Sequence, residues 1–278
     1  MDPSLRLRID IRHFSFSESN FSLRDIKFEV KRGEGIALLG PSGAGKSTLL
    51  RLLDGLYKNF EGEILLDGKE IRHLSPKEIY SKMGLLFQNP EEQLFAEVVF
   101  EDVAFGPRNM GWSKEEVTKA VERALQLVEL EGYEGRLIRN LSFGEKKRVA
   151  LAGLLAMGQE ILLLDEPTLG LDPLLEKKFV ELLQKLKRQG VTLIVATHNV
   201  DLVPYFAEKV LIIYGGRLVA IGSPREVFQG LDLSPYHLRP PLVTLLFKEL
   251  NGHIPHLPLT LEEARTYLQK LLFSSKQE

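Results

Sequence analysis

The chain has 278 residues with 36 Lys+Arg against 38 Asp+Glu, a formal net charge of −2, and is 44% hydrophobic and 27% charged. Such a composition suits a globular chain rather than a disordered one, and the near-neutral balance argues against a surface built to coat nucleic acid, which needs clustered Lys and Arg. The absence of cysteine excludes a disulfide framework, a thiolate metal site and a thiol nucleophile, and at roughly 150 residues per domain the length allows one large domain or two modest ones.

The opening MDPSLRLRID alternates apolar and charged residues and lacks the apolar stretch of a signal peptide. Leu5, Leu7, Ile9 and Ile11 fall on one face and Arg6, Arg8 and Asp10 on the other, which predicts a half-buried strand. A second alternation follows at Leu23, Ile26, Phe28 and Val30, and a third brackets the Asp67-Gly68 turn in EGEILLDGKEI, a hairpin signal. The first third is therefore partly antiparallel sheet. Residues 36–39, 84–87, 161–164, 192–196 and 210–213 are instead short, nearly continuous apolar runs, the pattern of strands buried on both faces of a mainly parallel sheet.

Helices lie between these runs. Ser75-Pro76-Lys77-Glu78 reads as a capping box with Pro at the first helical position. The run 113–131 carries a stripe of Val117, Val121, Leu125 and Val128, and Asp172-Pro173 opens a helix with Leu175, Phe179, Leu182 and Leu186 on one face, ended by Gly190. The alternation of strand and helix predicts an α/β core over 1–230, interrupted by a mostly helical insertion at about 89–156. Residues 231–278 form a small C-terminal extension whose last helix is capped by Thr260 with Glu263. The longest apolar run, 149–157, is far short of the roughly 20 residues that cross a bilayer.

Two motifs carry chemistry. Gly40-Pro41-Ser42-Gly43-Ala44-Gly45-Lys46-Ser47, followed by Thr48, fits G-x-x-x-x-G-K-[ST] between an apolar strand and a helix start. Its glycines let backbone N–H groups turn inward around phosphate oxygens, the helix N-terminus adds positive dipole, Lys46 reaches the β- and γ-phosphates, and the Ser47 hydroxyl ligates Mg²⁺. Asp165 and Glu166 end the apolar run 161–164, where Asp165 is placed to hold Mg²⁺ through water and Glu166 to accept a proton from attacking water; the same string is also what a plain strand end meeting solvent looks like.

The ordered set GPSGAGKST (40–48), LLFQNP (85–90), LSFGEKKRVALA (141–152), ILLLDEP (161–167), GLDP (170–173) and IVATHN (194–199) resembles the ATP-binding-cassette ATPases over about residues 5–230. The string GLLFQNPEEQLFAEVVFEDVAFGP (84–107) and the C-terminal extension resemble the energy-coupling-factor members that power uptake of vitamins, cobalt or nickel. The resemblance implies an α/β P-loop NTPase fold with a RecA-like, mainly parallel sheet, an antiparallel β subdomain and an inserted helical subdomain. It implies ATP and Mg²⁺ as the bound groups, and a peripheral position on the cytoplasmic face of a prokaryotic cell membrane. Gln88 would contact Mg²⁺ and the attacking water and relay nucleotide state to the segment beside the membrane partner. Glu166 would be the general base, His198 would contact the γ-phosphate, and Asp172 would sit in the loop crossing to the opposite subunit. Phe16 either stacks on adenine, where the family more often has Tyr, or belongs to the core.

In this family a signature segment of one subunit closes over the ATP of the other. Here it reads Ser142-Phe143-Gly144-Glu145, with Phe143 where glycine is expected. A bulky side chain restricts backbone approach to the γ-phosphate and, where positive φ is needed, costs on the order of 1–2 kcal/mol. The resemblance therefore favours a heterodimer with a paralogous ATPase over a homodimer, working with an integral membrane coupling subunit, a substrate-binding membrane subunit and no nucleic acid. A soluble cassette acting on nucleic acid and a low-activity regulatory subunit are the alternatives. Lys146-Lys147-Arg148 reads as a solvated or phosphate-facing surface, and His253 and His256 do not suggest a metal site.

Overall fold

A computed structural model describes residues 4–17, 21–250 and 256–274; His253 lies outside them. In chain order the elements are β1 (Leu5–Ser15), β2 (Ser22–Lys31), β3 (Gly35–Leu39), α1 (Lys46–Leu53), β4 (Glu61–Leu66), β5 (Lys69–Glu70), α2 (Pro76–Tyr80) and β6 (Met83–Leu86). Then come α3 (Val99–Asn109), α4 (Lys114–Leu127), α5 (Phe143–Ala156), β7 (Ile161–Asp165), α6 (Pro173–Arg188), β8 (Thr192–Ala196), α7 (Val203–Phe206), β9 (Lys209–Tyr214) and β10 (Arg217–Gly222). The chain closes with α8 (Pro224–Gly230), α9 (Leu242–Glu249) and α10 (Leu261–Ser274).

Among the described residues the strands form one ten-stranded sheet in the order β5-β4-β1-β2-β10-β9-β3-β8-β7-β6. The half built from β6, β7, β8, β3 and β9 is parallel, while β1, β2, β4 and β5 pair antiparallel. The alternation of side chains explains the continuous apolar runs. Ala37, Leu39, Leu162, Leu164, Leu193 and Val195 enter one core with the faces of α3 to α8. Ile36, Leu38, Ile161, Leu163, Ile194 and Ala196 enter a second with α1 and the antiparallel strands. Each parallel strand is thus buried on both faces, and every second residue serves a different core.

The local signals operate as their chemistry requires. Capping boxes start α2, α4, α5 and α8, with Ser75, Ser113, Ser142 and Ser223 each accepting from the amide three residues on. The Asp67-Gly68 turn joins β4 to β5 as expected. One expectation needs correction and one strand is new. The helix read over 113–131 ends at Leu127, because Glu129 turns to φ 56° and the Leu130 amide returns to the Leu125 carbonyl at 2.9 Å. The strand β10 goes unread in the sequence, although it joins the two halves of the sheet.

That junction is narrow. β10 runs antiparallel to β9 and meets β2 through the single register pair Arg217–Arg24, reinforced by the Arg24 amide on the Gly216 carbonyl at 2.8 Å. Gly216 sits at φ 75°, and a Cβ there would lie 1.9 Å from the Ser22 carbonyl oxygen. Gly216→Ala combines that overlap with left-handed strain, so it is expected to lower unfolding free energy by about 2 kcal/mol or more. Urea unfolding of the variant against the parent checks this, with a loss below about 0.5 kcal/mol as the contrary result.

Candidate functional site

The parallel strands end at one edge, and the chemical groups emerge there. The loop after β3 turns through Gly40, Gly43 and Gly45 at φ 150°, 77° and 107°, and Gly45 caps α1. These backbone angles are what glycine supplies freely and a Cβ resists. Phe21, absent from the sequence expectations, packs against Gly45 so tightly that a Cβ there would lie 2.6 Å from its ring and from Leu23. The result is an open cavity of about 670 Å³ lined by Ser42, Gly43, Ala44, Gly45, Lys46, Ser47 and Thr48 from the loop and α1. Gln88, Asp165, Glu166, His198, Phe16 and Phe21 complete its wall.

Lys46 folds back into its own loop, donating to the Gly40 carbonyl at 2.8 Å and the Pro41 carbonyl at 3.2 Å. Burial pulls its ammonium below the usual lysine range, opposed by the Glu166 and Asp165 carboxylates. Those two carboxylates leave the end of β7 side by side. Burial pushes the Asp165 carboxyl above the usual range, with the Ser47 hydroxyl bond pulling the other way. Asp165 Oδ1 is nevertheless buried with no hydrogen-bond partner. An orphaned carboxylate oxygen beside a serine hydroxyl is an all-oxygen donor set, which fits a hard divalent cation such as Mg²⁺.

Glu166 is 7% exposed and its Oε2 meets His198 Nδ1 at 2.8 Å, while His198 itself reaches solvent. The glutamate lies at φ 46°, a left-handed conformation uncommon for a residue with a side chain. Phe16 lines the pocket yet also packs edge-on against Phe14 and Tyr57, at 5.0 and 5.5 Å between ring centres, so both readings of it hold in part. Gln88 stands two residues beyond β6, and the amide of its neighbour Phe87 is held by Gln93 Oε1 at 3.1 Å. Gln93 Nε2 in turn reaches the Ala150 carbonyl on α5 at 3.2 Å.

Ser142, Phe143, Gly144 and Glu145 stand apart from this pocket at the start of α5, where Ser142 caps the helix and Glu145 also takes the Tyr133 hydroxyl at 2.8 Å. Phe143 is a helical residue with no positive φ, so the backbone cost anticipated for it does not arise. Its ring lies back over Gly170 of its own chain. Asp172 caps α6 through the Leu174 and Leu175 amides at 2.9 Å. The expected solvated Lys146-Lys147-Arg148 surface is also corrected: Lys147 is 1% exposed, with Nζ on the Glu166 and Leu169 carbonyls at 2.8 and 3.0 Å. It falls one helical turn after Phe143, on the face turned toward β7, which a run of three cations conceals. Among the described residues no cluster of three or more His, Cys, Asp or Glu could hold a metal by itself.

A sequence model described as ABC transporter matches residues 23–169. The energy-coupling factor transporter ATP-binding protein EcfA of Methanocaldococcus jannaschii is 47% identical over 242 residues, 86% of this chain and 87% of that protein. The solved structure of cbiO1 from Clostridium perfringens, part of the ABC transporter complex cbiONQ, superposes with a TM-score of 0.73 at 37% identity, covering 81% of this chain and 91% of that one. A dimeric ATP-binding cassette in a post-hydrolysis state, bound to ADP and Pi, superposes at 0.71 with 28% identity, covering 79% of this chain and 98% of that one.

The left-handed backbone at Glu166 has a measurable consequence. Glu166→Gly accepts φ 46° freely and Glu166→Ala does not. Chemical denaturation is expected to find the glycine variant more stable than the alanine variant by about 1 kcal/mol, the reverse of their order in an ordinary strand or helix.

Proposed function

This chain belongs to the ATP-binding-cassette transporter family and hydrolyses ATP, and from that premise we propose that it is the motor subunit of an energy-coupling-factor-type importer. The name of its 47%-identical archaeal relative and the complex containing its structural neighbour support this type. Cargo in this reading is a vitamin or transition-metal ion, held by a separate membrane subunit. Among the described residues no helix is long and apolar enough to cross a membrane.

The observation that carries the proposal is that neighbouring residues face two different cavities. Gln88 lines the phosphate pocket, while Phe87 and Gln93 line a second, largely apolar groove of about 590 Å³ between β6, α3 and α5. Leu56, Tyr80, Phe95, Phe105, Met110 and Met157 furnish its walls. Two acceptors at its lining, Asp54 Oδ1 and Gln159 Oε1, are buried with no partner. An amphipathic helix of a membrane subunit, bearing an Arg or Lys that displaces the Asp54 proton and pairs with the resulting carboxylate, fits such a groove.

In the pocket, the loop amides and Lys46 would bind the β- and γ-phosphates. Glu166, oriented by His198, would take a proton from the water attacking the γ-phosphorus as the bond to the β-bridging oxygen breaks. His198 would offer its second ring nitrogen to a γ-phosphate oxygen. Ser47, Asp165 and Gln88 would hold Mg²⁺, which supplies charge neutralisation of the phosphates when bound. The separation of 142–145 from this pocket in one chain supports a composite site, completed by the signature of a second subunit. Phe143 still favours a paralogue as that second subunit, because a side chain stands where the family's signature has glycine, although in the single chain its ring packs back over Gly170. Leu242, Leu246 and Leu250 of the C-terminal extension are each more than half exposed at helical spacing, a stripe suited to subunit pairing.

Glu166→Gln is expected to cut steady-state ATP hydrolysis at least about 100-fold while leaving ATP binding within about threefold, measured by phosphate release and by fluorescent-nucleotide titration. If the unmodified chain alone hydrolyses ATP robustly and Phe143→Gly adds nothing, the heterodimer reading fails. The groove supplies a pH test. Burial pushes the Asp54 carboxyl up to about 8, so the folded chain holds a proton there that the unfolded chain releases near pH 4. Its contribution to stability therefore declines as pH rises from about 4 to about 8 and is level above that. Asp54→Asn removes this slope, so its melting temperature should exceed the parent's by a margin that widens from pH 5 to pH 8. The same variant should bind the membrane subunit more weakly; a constant margin together with undiminished binding contradicts both assignments.

A further inference from the structure

The first two turns of α5 grip the turn that follows β7 at three points. Lys147 Nζ donates to the Glu166 carbonyl at 2.8 Å and to the Leu169 carbonyl at 3.0 Å, and the Phe143 ring lies over Gly170, where a Cβ would come within 2.9 Å of it. The ring and the ammonium also lie close, 5.5 Å from ring centre to Nζ. The turn has its own bonds, Leu169 N to Glu166 O at 3.2 Å and Leu171 N to Thr168 O at 3.1 Å. Lys147 therefore adds a clamp to a turn that is already formed.

What the clamp holds is the strained residue. The Glu166 amide donates to the Ala196 carbonyl at 2.9 Å and its carbonyl accepts from Lys147, so both backbone groups of a residue at φ 46° are fixed. Strain of this kind persists only where the surroundings over-determine it. An ammonium buried against carbonyls is a costly way to secure stability, since an apolar side chain of similar volume commonly does as well or better. Burial lowers the Lys147 ammonium to about 8, against the pull of the Glu166 and Asp165 carboxylates. The benefit of the lysine is then to be sought in geometry.

We propose that Lys147 is a positioning residue which locks the backbone that aims Glu166 and, riding on the helix that begins with the signature residues, passes a displacement of that helix to Glu166. Because α5 presents 142–145 to the ATP of the opposite subunit, the clamp connects the state of one composite site to the base of the other. The inference rests on the reading of Glu166 as the base and of 142–145 as the partner-facing signature. A shift of the base by about 1 Å is enough to cost on the order of 100-fold in rate, so the connection needs only a small movement.

The test uses the full chain, paired with its partner ATPase where one is required. Lys147→Met keeps the stem and removes the donors; Lys147→Arg keeps the donors on a longer fork. The methionine variant is expected to lose about 10- to 100-fold in kcat with KM for ATP and fluorescent-nucleotide affinity within about threefold, and its Hill coefficient for ATP should fall toward one. Its melting temperature should match or exceed the parent's, and the arginine variant should recover most of the lost kcat. Parent-like kcat and cooperativity in Lys147→Met overturn the proposal. So does a loss of kcat, ATP affinity and melting temperature in step that arginine fails to rescue, which marks a merely structural lysine. A parent-like rate from Glu166→Gln overturns the underlying reading instead, and it is distinguishable because it needs no Lys147 variant.

Discussion

The parallel register of β6, β7, β8 and β3 is the constraint on which the nucleotide pocket depends. Hydrogen-bonded side by side and pointing the same way, these strands deliver their C-terminal ends to one edge. Gln88 follows β6, Asp165 ends β7 with Glu166 next after it, His198 follows β8, and the phosphate loop follows β3. Residues from four separate stretches of chain converge there because the backbone ladder aligns them. The two cores pack that ladder from both faces, which places the end of β7, while His198 and Lys147 hold the side chain and carbonyl of Glu166 beyond it. Asp165 can then be left with a bare oxygen, an arrangement that is costly in the isolated chain and suited to a cation.

Much of this was legible because its physics is local. Capping boxes, the Asp-Gly hairpin and the glycine pattern of the phosphate loop each concern a few adjacent residues, and each fold element they predicted is present. The placement of Lys46, Ser47, Asp165, Glu166, Gln88 and His198 around one cavity was legible only through the ordered set of motifs, since no single one of them implies the convergence. Phe143 shows the limit of arguing from a substitution alone. The identity of the residue suggested backbone strain, but a helix that starts at Phe143 supplies a φ that any residue accepts.

The unread features share a different physics, that of tertiary burial. Lys147 lies in a run of three cations, and nothing local reveals that its position four residues after Phe143 faces β7. Asp54 follows α1 among ordinary helix-end residues, and nothing local reveals that it is buried at the lining of a groove shared with residues of β6, α2 and α3. Phe21 wedges against Gly45 from a neighbouring loop. For β10 a local signal did exist: Gly215-Gly216 between two apolar runs is a hairpin turn of the kind that joins β4 to β5.

Helix α5 brings these features onto one axis. Phe143, Lys147, Ala150, Leu154 and Met157 follow one another at steps of four and three residues, a single stripe along a helix of 14 residues and its C-cap. The stripe begins at the signature end, where Phe143 lies on Gly170. One turn later Lys147 holds the Glu166 carbonyl. Next, the Ala150 carbonyl takes Gln93, which braces the segment carrying Gln88. Finally Leu154 and Met157 form the wall of the apolar groove. About 21 Å of one helix therefore touches, in order, Gly170, the Glu166 carbonyl, the strut behind Gln88 and the apolar groove, which on the proposed function include the partner-facing end, the turn of the base and the seat of the membrane subunit. A helix cannot compress along its axis without breaking its backbone ladder, so a displacement imposed at either end is felt at every one of these contacts. On the proposed function, nucleotide state and membrane state would both act through the position of α5, with no separate relay between them.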